Sequence, residues 1–216
     1  MTERPILFSD GMVRAILCGQ KTQTRRPVKP QPVWHPNARP PRWVWTGYGR
    51  EVAWADYFGP LFMRQYCPIG QPGDRLWVKE TFYKYYPSEG WPRPKALYRA
   101  DGISLEPVDS EGMRQRWTPS IHMPRALSRI TLEINDINVE RVQDISEKDA
   151  WAEGMEALDG SFNESALCAT AKHYDLCVED TRCIYAHLWD SLYAKLGLGW
   201  DANPWVWAVE FERVEE

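Results

Sequence analysis

The chain has 216 residues, 44% of them hydrophobic, with 26 Lys/Arg against 30 Asp/Glu, five cysteines and 12 tryptophans. This length suits one domain with insertions, on a prior of roughly 150 residues per domain, and its apolar runs fall far short of the ~20 residues that cross a membrane. The first residues lack a signal-peptide apolar segment and the odd, irregularly spaced cysteines fit a reducing compartment better than a disulfide framework, so a cytoplasmic protein without membrane contact is expected.

The charge is unevenly placed. Residues 1–50 hold nine Lys/Arg and two Asp/Glu, whereas residues 128–216 hold seven and 19. A basic first third suits local capture of an anion or nucleic acid, or an internal match to the acidic remainder. A pI near 5.7 argues against tight, non-specific duplex binding, which needs many phosphate contacts.

Residues 5–8 read as a short strand. Ser9 or Asp10 then caps a helix through Leu17, with Met12, Val13, Ile16 and Leu17 on one face and Gly19 as its stop. Residues 22–28 are expected to be extended, since Pro27 drives Arg26 out of helical geometry. Residues 27–60, rich in proline and tryptophan, read as a long irregular insertion. A strand over 61–65 and a turn-rich loop over 67–74 precede a good strand, Arg75-Leu76-Trp77-Val78-Lys79-Glu80-Thr81-Phe82.

Residues 84–127 form a second loop-rich stretch with a weak strand over 96–99. Ile130, Leu132 and Ile134 alternate, the phase slips at Asn135-Asp136, and alternation resumes at Ile137 and Val139. That slip predicts a bulge in one long strand. Ser146-Glu147-Lys148-Asp149 resembles a capping box opening a short helix that stops at Gly154. Residues 155–177 read as irregular, a third insertion. Ile184, Leu188, Leu192 and Leu196 share a helix face, and Trp205, Trp207, Val209 and Phe211 alternate as a closing strand. Strands separated by loops, without regular βαβ alternation, predict an α+β fold built on a small mixed β-barrel with flanking short helices. There is no internal repeat, and neither GxGxxG nor a GxxxxGK[ST] phosphate loop occurs.

The segment Gly19-Gln20-Lys21-Thr22-Gln23-Thr24-Arg25-Arg26 places three cations and two hydroxyls together, with Lys29 just beyond. Such groups grip phosphate or a polar base edge. Lys21 in the field of Arg25 and Arg26 has a lowered pKa and can serve as a base, and a threonine hydroxyl needs such a base to become a nucleophile. An extended chain puts Lys21 and Thr24 on opposite sides, so chemistry between them requires a turn. Glu80 shares a strand face with Val78 and Phe82, and a buried carboxylate there needs a partner. Glu153 sits at a helix C-terminus, where the helix dipole disfavours it. The loop at 119–129 offers His122, Arg125 and Arg129. Cys168, His173, Cys177 and Cys183 are conceivable zinc ligands, but without a CxxC pair no metal or other cofactor is expected.

The 19–26 segment matches the G-x-K-T-x-T-x-R motif of ASCH domains, relatives of the RNA-binding PUA domains. Gly73-Asp74-Arg75-Leu76-Trp77-Val78 resembles that family's G-D-x-L-x-V strand, and the strands over 128–134 and 206–211 resemble its central and closing strands. The tryptophan-rich form, with Ser-Ile-His-Met-Pro-Arg and Asn-Pro-Trp-Val-Trp, is similar to versions common in bacteriophages and prophages. The resemblance implies a PUA-like mixed barrel spanning 1–216, with insertions at about 27–60, 84–127 and 155–177. It also implies that RNA, DNA or a modified nucleoside binds at the Lys-Thr motif.

Lys21, Thr22, Arg25, Arg26, Glu80, His122, Arg125 and Arg129 are then the expected nucleic-acid-binding residues. Some ASCH proteins are amidohydrolases of N(4)-acetylcytidine that use a lysine, a threonine and a glutamate. The first two match Lys21 and Thr24. Ser146-Glu147-Lys148-Asp149-Ala150-Trp151-Ala152-Glu153-Gly154-Met155 resembles the segment carrying the third, which gives Glu153. The expected function is nucleic-acid or nucleotide binding, with amidohydrolase chemistry and, less favoured, ribonuclease activity as alternatives.

Overall fold

The structure, a computed structural model, describes residues 1–39, 42–47, 49–53, 64–86, 95–106, 114–158, 160 and 162–214. In chain order the strands and α-helices are β1 (Glu3–Leu7), α1 (Asp10–Leu17), β2 (Gln23–Pro27), β3 (Val33–His35), β4 (Arg42–Gly47), β5 (Arg50–Ala53), β6 (Arg75–Lys79), β7 (Phe82–Tyr85) and β8 (Lys95–Tyr98). They continue with β9 (Thr131–Arg141), α2 (Glu147–Ala152), α3 (Glu164–Tyr174), α4 (Thr181–Tyr193) and β10 (Trp205–Val214).

A five-stranded mixed sheet in the order β1-β6-β9-β10-β2 organises the molecule. β1 runs parallel to β6, and the other pairs are antiparallel. The fold is α+β as expected, but the sheet does not close into a barrel: β1 and β2 are its two free edges. A side chain spans the seam between them, where Arg26 Nη2 donates to the Leu7 carbonyl at 3.2 Å. This satisfies an acceptor that a closed barrel would satisfy with backbone.

The long strands follow their sequence pattern. Along β9, Leu132, Ile134, Ile137 and Val139 are buried, and opposite β10 the register steps from Glu210↔Asp136 to Phe211↔Ile134. Asn135 is therefore the bulged residue, at the predicted phase slip, and the extra residue returns Ile137 to the core face. On β10, Trp207 and Val209 are buried together with Val206 and Ala208, because the strand is covered on both faces. Met12, Val13 and Ile16 of α1 and Tyr185, Ala186 and Trp189 of α4 join the same core cluster.

Two insertions are more ordered than their composition suggested. The stretch 27–60 carries the antiparallel meander β3-β4-β5, with Trp34 opposite Trp43 and Trp45 opposite Val52 in the register. Among the described residues, Pro30, Pro32 and Pro36 lie outside the strands, while Pro27 is the last residue of β2, opposite Val206. The stretch 155–177 contains α3, which Asn163 caps by accepting the Ser165 N–H at 2.8 Å and which ends at Asp175 in the left-handed region. Its weak amphipathicity hid it. The strand expected over 61–65 is in part outside the described residues, and Arg64–Tyr66 forms a 3-10 turn. The strand expected over 96–99 is β8, paired with β7 over a second, smaller cluster of Phe82, Met123 and Leu127. No helix among the described residues is long and apolar enough to cross a membrane.

Candidate functional site

Lys21 and Glu153, 132 residues apart in the chain, meet at the end of α2. Ser146 caps this helix, its Oγ accepting the Asp149 N–H at 3.1 Å. The helix stops because Gly154 takes φ +85°, and a Cβ there would lie 2.9 Å from Ala15 Cβ and 3.0 Å from Lys21 Cβ. Only glycine suits both the backbone and the space. The reversed chain then runs beside the Lys21 segment: Lys21 and Glu153 form an isolated antiparallel bridge, and the Thr22 N–H donates to Ala152 O at 2.9 Å. The glutamate that looked misplaced at a helix end is thus aimed at the lysine.

The Lys21 ammonium has three hydrogens and three acceptors: Gln23 O at 2.7 Å, Glu153 O at 2.8 Å and Glu153 Oε2 at 2.7 Å. Its side chain is 1% exposed. Burial, only partly opposed by Glu153, lowers its pKa from 10.5 to about 8, with Arg26 and Arg25 as lesser causes. The sequence suggested that neighbouring cations would do this; desolvation is the larger cause.

The other oxygen of Glu153 accepts from Arg25 Nη1 at 3.3 Å. Arg25 also donates through Nε to Glu140 at 2.6 Å and approaches Asp149 at 3.8 Å. Burial works to lower the Arg25 pKa, but Glu153 and Glu140 outweigh it and raise the value. Arg26 Nη1 donates to Thr24 Oγ1 at 2.7 Å, and its guanidinium lies 5.4 Å from the Phe8 ring centroid. Thr24 is fully buried, and no hydrogen bond joins it to Lys21.

These groups line one side of a cavity of about 320 Å³ at the sheet seam, between Leu7 and Phe8 at the end of β1, Thr24 to Arg26 of β2, and α4. The opposite wall is Tyr185, Leu188, Trp189, Leu192 and Tyr193. The Tyr185 and Trp189 rings pack at a tilt of 37° with centroids 6.0 Å apart, and Trp189 and Tyr193 at 45° and 4.4 Å. Tyr185 is 3% exposed, and its hydroxyl makes no hydrogen bond to a described residue. Burial, reinforced by Glu153, raises its pKa well above the ordinary value, so it stays a neutral donor.

Sequence reading found Lys21, Thr24, Arg25, Arg26 and Glu153 but missed this wall. It followed the Ile184, Leu188, Leu192 face of α4, whereas the aromatic stripe at 185, 189 and 193, also four residues apart, supplies much of the cavity.

The remaining expected residues lie elsewhere. The Thr22 carbonyl accepts from Phe211 N at 2.9 Å, and Thr22 itself is exposed. Glu80, fully buried, is held bidentately by Arg129 at 2.9 and 3.0 Å. Burial raises the Glu80 pKa, and Arg129 only partly offsets it. Arg129 also pairs with Asp101 and lies 3.9 Å from the Tyr98 ring centroid. Arg125 forms two hydrogen bonds to Glu3, at 2.9 and 3.0 Å, and His122 sits in an exposed 3-10 turn. These residues do not join the cavity.

Nor do Cys168, His173, Cys177 and Cys183 converge. His173 contacts Asp201 at 3.0 Å, Cys183 is buried against Leu167 O, and no three His, Cys, Asp or Glu among the described residues could hold a metal ion.

Neither a family model nor a curated protein matches the chain. Solved structures are similar to it. One is a DUF984 protein from Enterococcus faecalis V583, 9% identical, with 99% of this chain and 80% of that one covered and a TM-score of 0.40. Another is an ASCH domain from Lactobacillus crispatus JV V101, 11% identical, with 98% and 79% covered and a TM-score of 0.37. Neither likeness assigns a role to a residue here.

Proposed function

We propose that the chain binds a nucleoside, free or as a base turned out of a strand, in the seam cavity, with Lys21, Thr24 and Glu153 on its polar side. The observation that carries this reading is the Lys21–Glu153 pair, at 2.7 Å, set in a cavity whose other wall is aromatic. A heteroaromatic base has the same two-sided character, with an apolar face and a polar edge. The charge count points to a neutral ligand rather than a phosphate. Lys21, Arg25 and Arg26 bring three cations and Glu153, Glu140 and Asp149 three acids, so little net cationic field remains to hold a phosphate.

Titration calorimetry with cytidine, N(4)-acetylcytidine, uridine and guanosine tests this. Binding of at least one, abolished in Trp189→Ala, is expected; no binding of any would sink the reading.

One observation favours hydrolysis as a second reading. Thr24 Oγ1 accepts from the Arg26 guanidinium, which polarises the hydroxyl, and its own proton has no acceptor among the described residues. In that reading Thr24 Oγ attacks an amide carbonyl, neutral Lys21 takes the hydroxyl proton, and the amine leaves with a proton returned from Lys21. Water then releases the acyl group from Thr24. Since neutral Lys21 becomes abundant near pH 8, release of cytidine from N(4)-acetylcytidine should rise between pH 7 and 9 and vanish in Thr24→Val. Activity that persists in that variant would remove Thr24 from the step.

A further inference from the structure

Residues 11–50 contain eight Lys/Arg and no Asp/Glu. Lys21, Arg25 and Arg26 are engaged at the cavity. The cations of the following arm are not: Lys29 and Arg39 are exposed, Arg42 is half-buried, and none has an ion-pair partner among the described residues. Glu51, the one acid on the described part of the meander, pairs across to Thr46 at the far end of β4.

Every residue of β3 is exposed, including Val33 at 59% and Trp34 at 44%. Trp34 is not a loose side chain. It packs on its cross-strand partner Trp43 at 5.6 Å, and Trp43 meets Trp205 edge-on at 6.2 Å. The Arg141 guanidinium lies 4.6 and 4.3 Å from the Trp43 and Trp205 rings. One side of Trp34 is therefore fixed by a braced aromatic ladder, while the residue remains open to solvent.

We propose that the β3–β4 arm is a docking surface for single-stranded nucleic acid, with bases stacking on Trp34 and phosphates meeting Lys29, Arg39 and Arg42. A fixed aromatic platform amid unopposed cations matches an unpaired polynucleotide in both shape and charge. A duplex hides the base faces that Trp34 would stack. The arm also continues directly from β2, the strand that carries Thr24 to the cavity. Lys29 lies five positions beyond Thr24, a span of at most about 17 Å in extended chain, so a strand held on the arm can reach the cavity mouth. The arm goes beyond the nucleoside reading and does not depend on it.

The test is fluorescence anisotropy with labelled 15-nucleotide oligo(dT) and oligo(rU), run beside nucleoside calorimetry. Wild-type protein should bind at least one oligonucleotide with strong salt dependence. Trp34→Ala should weaken binding about tenfold, and Arg39→Glu/Arg42→Glu should weaken it further and flatten the salt slope. Lys172→Glu/Lys195→Glu, the same charge change at exposed sites elsewhere, should leave binding intact, and melting curves should show every variant folded.

No oligonucleotide binding by wild type, wild-type affinity in both arm variants, or equal damage from the control pair would overturn the proposal. So would displacement of the oligonucleotide by polyglutamate as effectively as by unlabelled strand, since that marks a surface reading charge alone. Glu153→Gln that loses nucleoside but keeps oligonucleotide separates the arm from the cavity. Nucleoside binding without oligonucleotide binding leaves the cavity reading standing and the arm refuted.

Discussion

The cavity and the arm draw their cations from the same acid-free stretch, yet the two regions use them in opposite ways. At the cavity, Lys21 and Arg25 are 3% exposed and locked to Glu153, Glu140 and Asp149, all contributed by the acidic last third of the chain. On the arm, Lys29 and Arg39 face water. The uneven charge along the sequence thus has two causes. Part is an internal match that builds a buried, nearly neutral polar wall, and part is left over as surface field. Burial, not residue type, decides which cation remains available to a ligand.

The sharpest way to break the comparison is to remove one member of the buried pair. Glu153→Ala leaves the Lys21 ammonium without its counter-charge and should cost ~3–5 kcal/mol. At 2–4 °C per kcal/mol for a chain of this size, that is a fall of about 10 °C in melting temperature. An unchanged melting temperature would mean that the pair is not formed in solution. Next comes Gly154→Ala, which forces a Cβ into a left-handed backbone 2.9 Å from Ala15. It should destabilise by at least ~1–2 kcal/mol, and loss of ligand binding out of proportion to that would show that the turn sets the aim of Glu153.

Smaller, but diagnostic, is the pH profile. Folded Lys21 releases its proton near pH 8, whereas in the unfolded chain it does so near 10.5. Between those values the unfolded state holds the extra proton, so this group raises stability as pH rises, and below pH 8 it imposes a constant penalty. From pH 8 to 10 the melting temperature of wild type should therefore gain on that of Lys21→Met; parallel profiles would place the titration elsewhere. Least of all, Trp34→Ala should cost only about 0.5–1 kcal/mol, the worth of an exposed cross-strand aromatic pair. A loss as large as that of Glu153→Ala would make Trp34 a core residue and erase the contrast.

Local rules made much of the fold legible. Alternation found β1, β6, β9 and β10, the phase slip located the bulge at Asn135, and Ser146 and Gly154 bracketed α2. Composition misled where tertiary pairing takes over. Proline and tryptophan between residues 27 and 60 suggested disorder of pattern, but cross-strand Trp34 and Trp43 make a sheet there. The polar side of the site was visible in the 19–26 motif and in the odd placement of Glu153. The aromatic wall was not, because nothing local announces that α4 will be laid across the seam. The barrel was expected both from the scattered strand pattern and from the resemblance, and the open edge could only be seen in the strand order.

That open edge has a mechanical consequence. Among the described residues, the hydrogen bond that ties the β1 and β2 margins runs from the Arg26 side chain to Leu7 O. The cavity sits where the two margins part. A ligand there would act as a keystone, transmitting its grip to the backbone at Leu7 and Phe8 on one side and Thr24 on the other. Occupancy should be readable without any chemistry, as slowed hydrogen exchange at the amides of Phe8 and Ser9, far along the chain from the helix that forms the opposite wall.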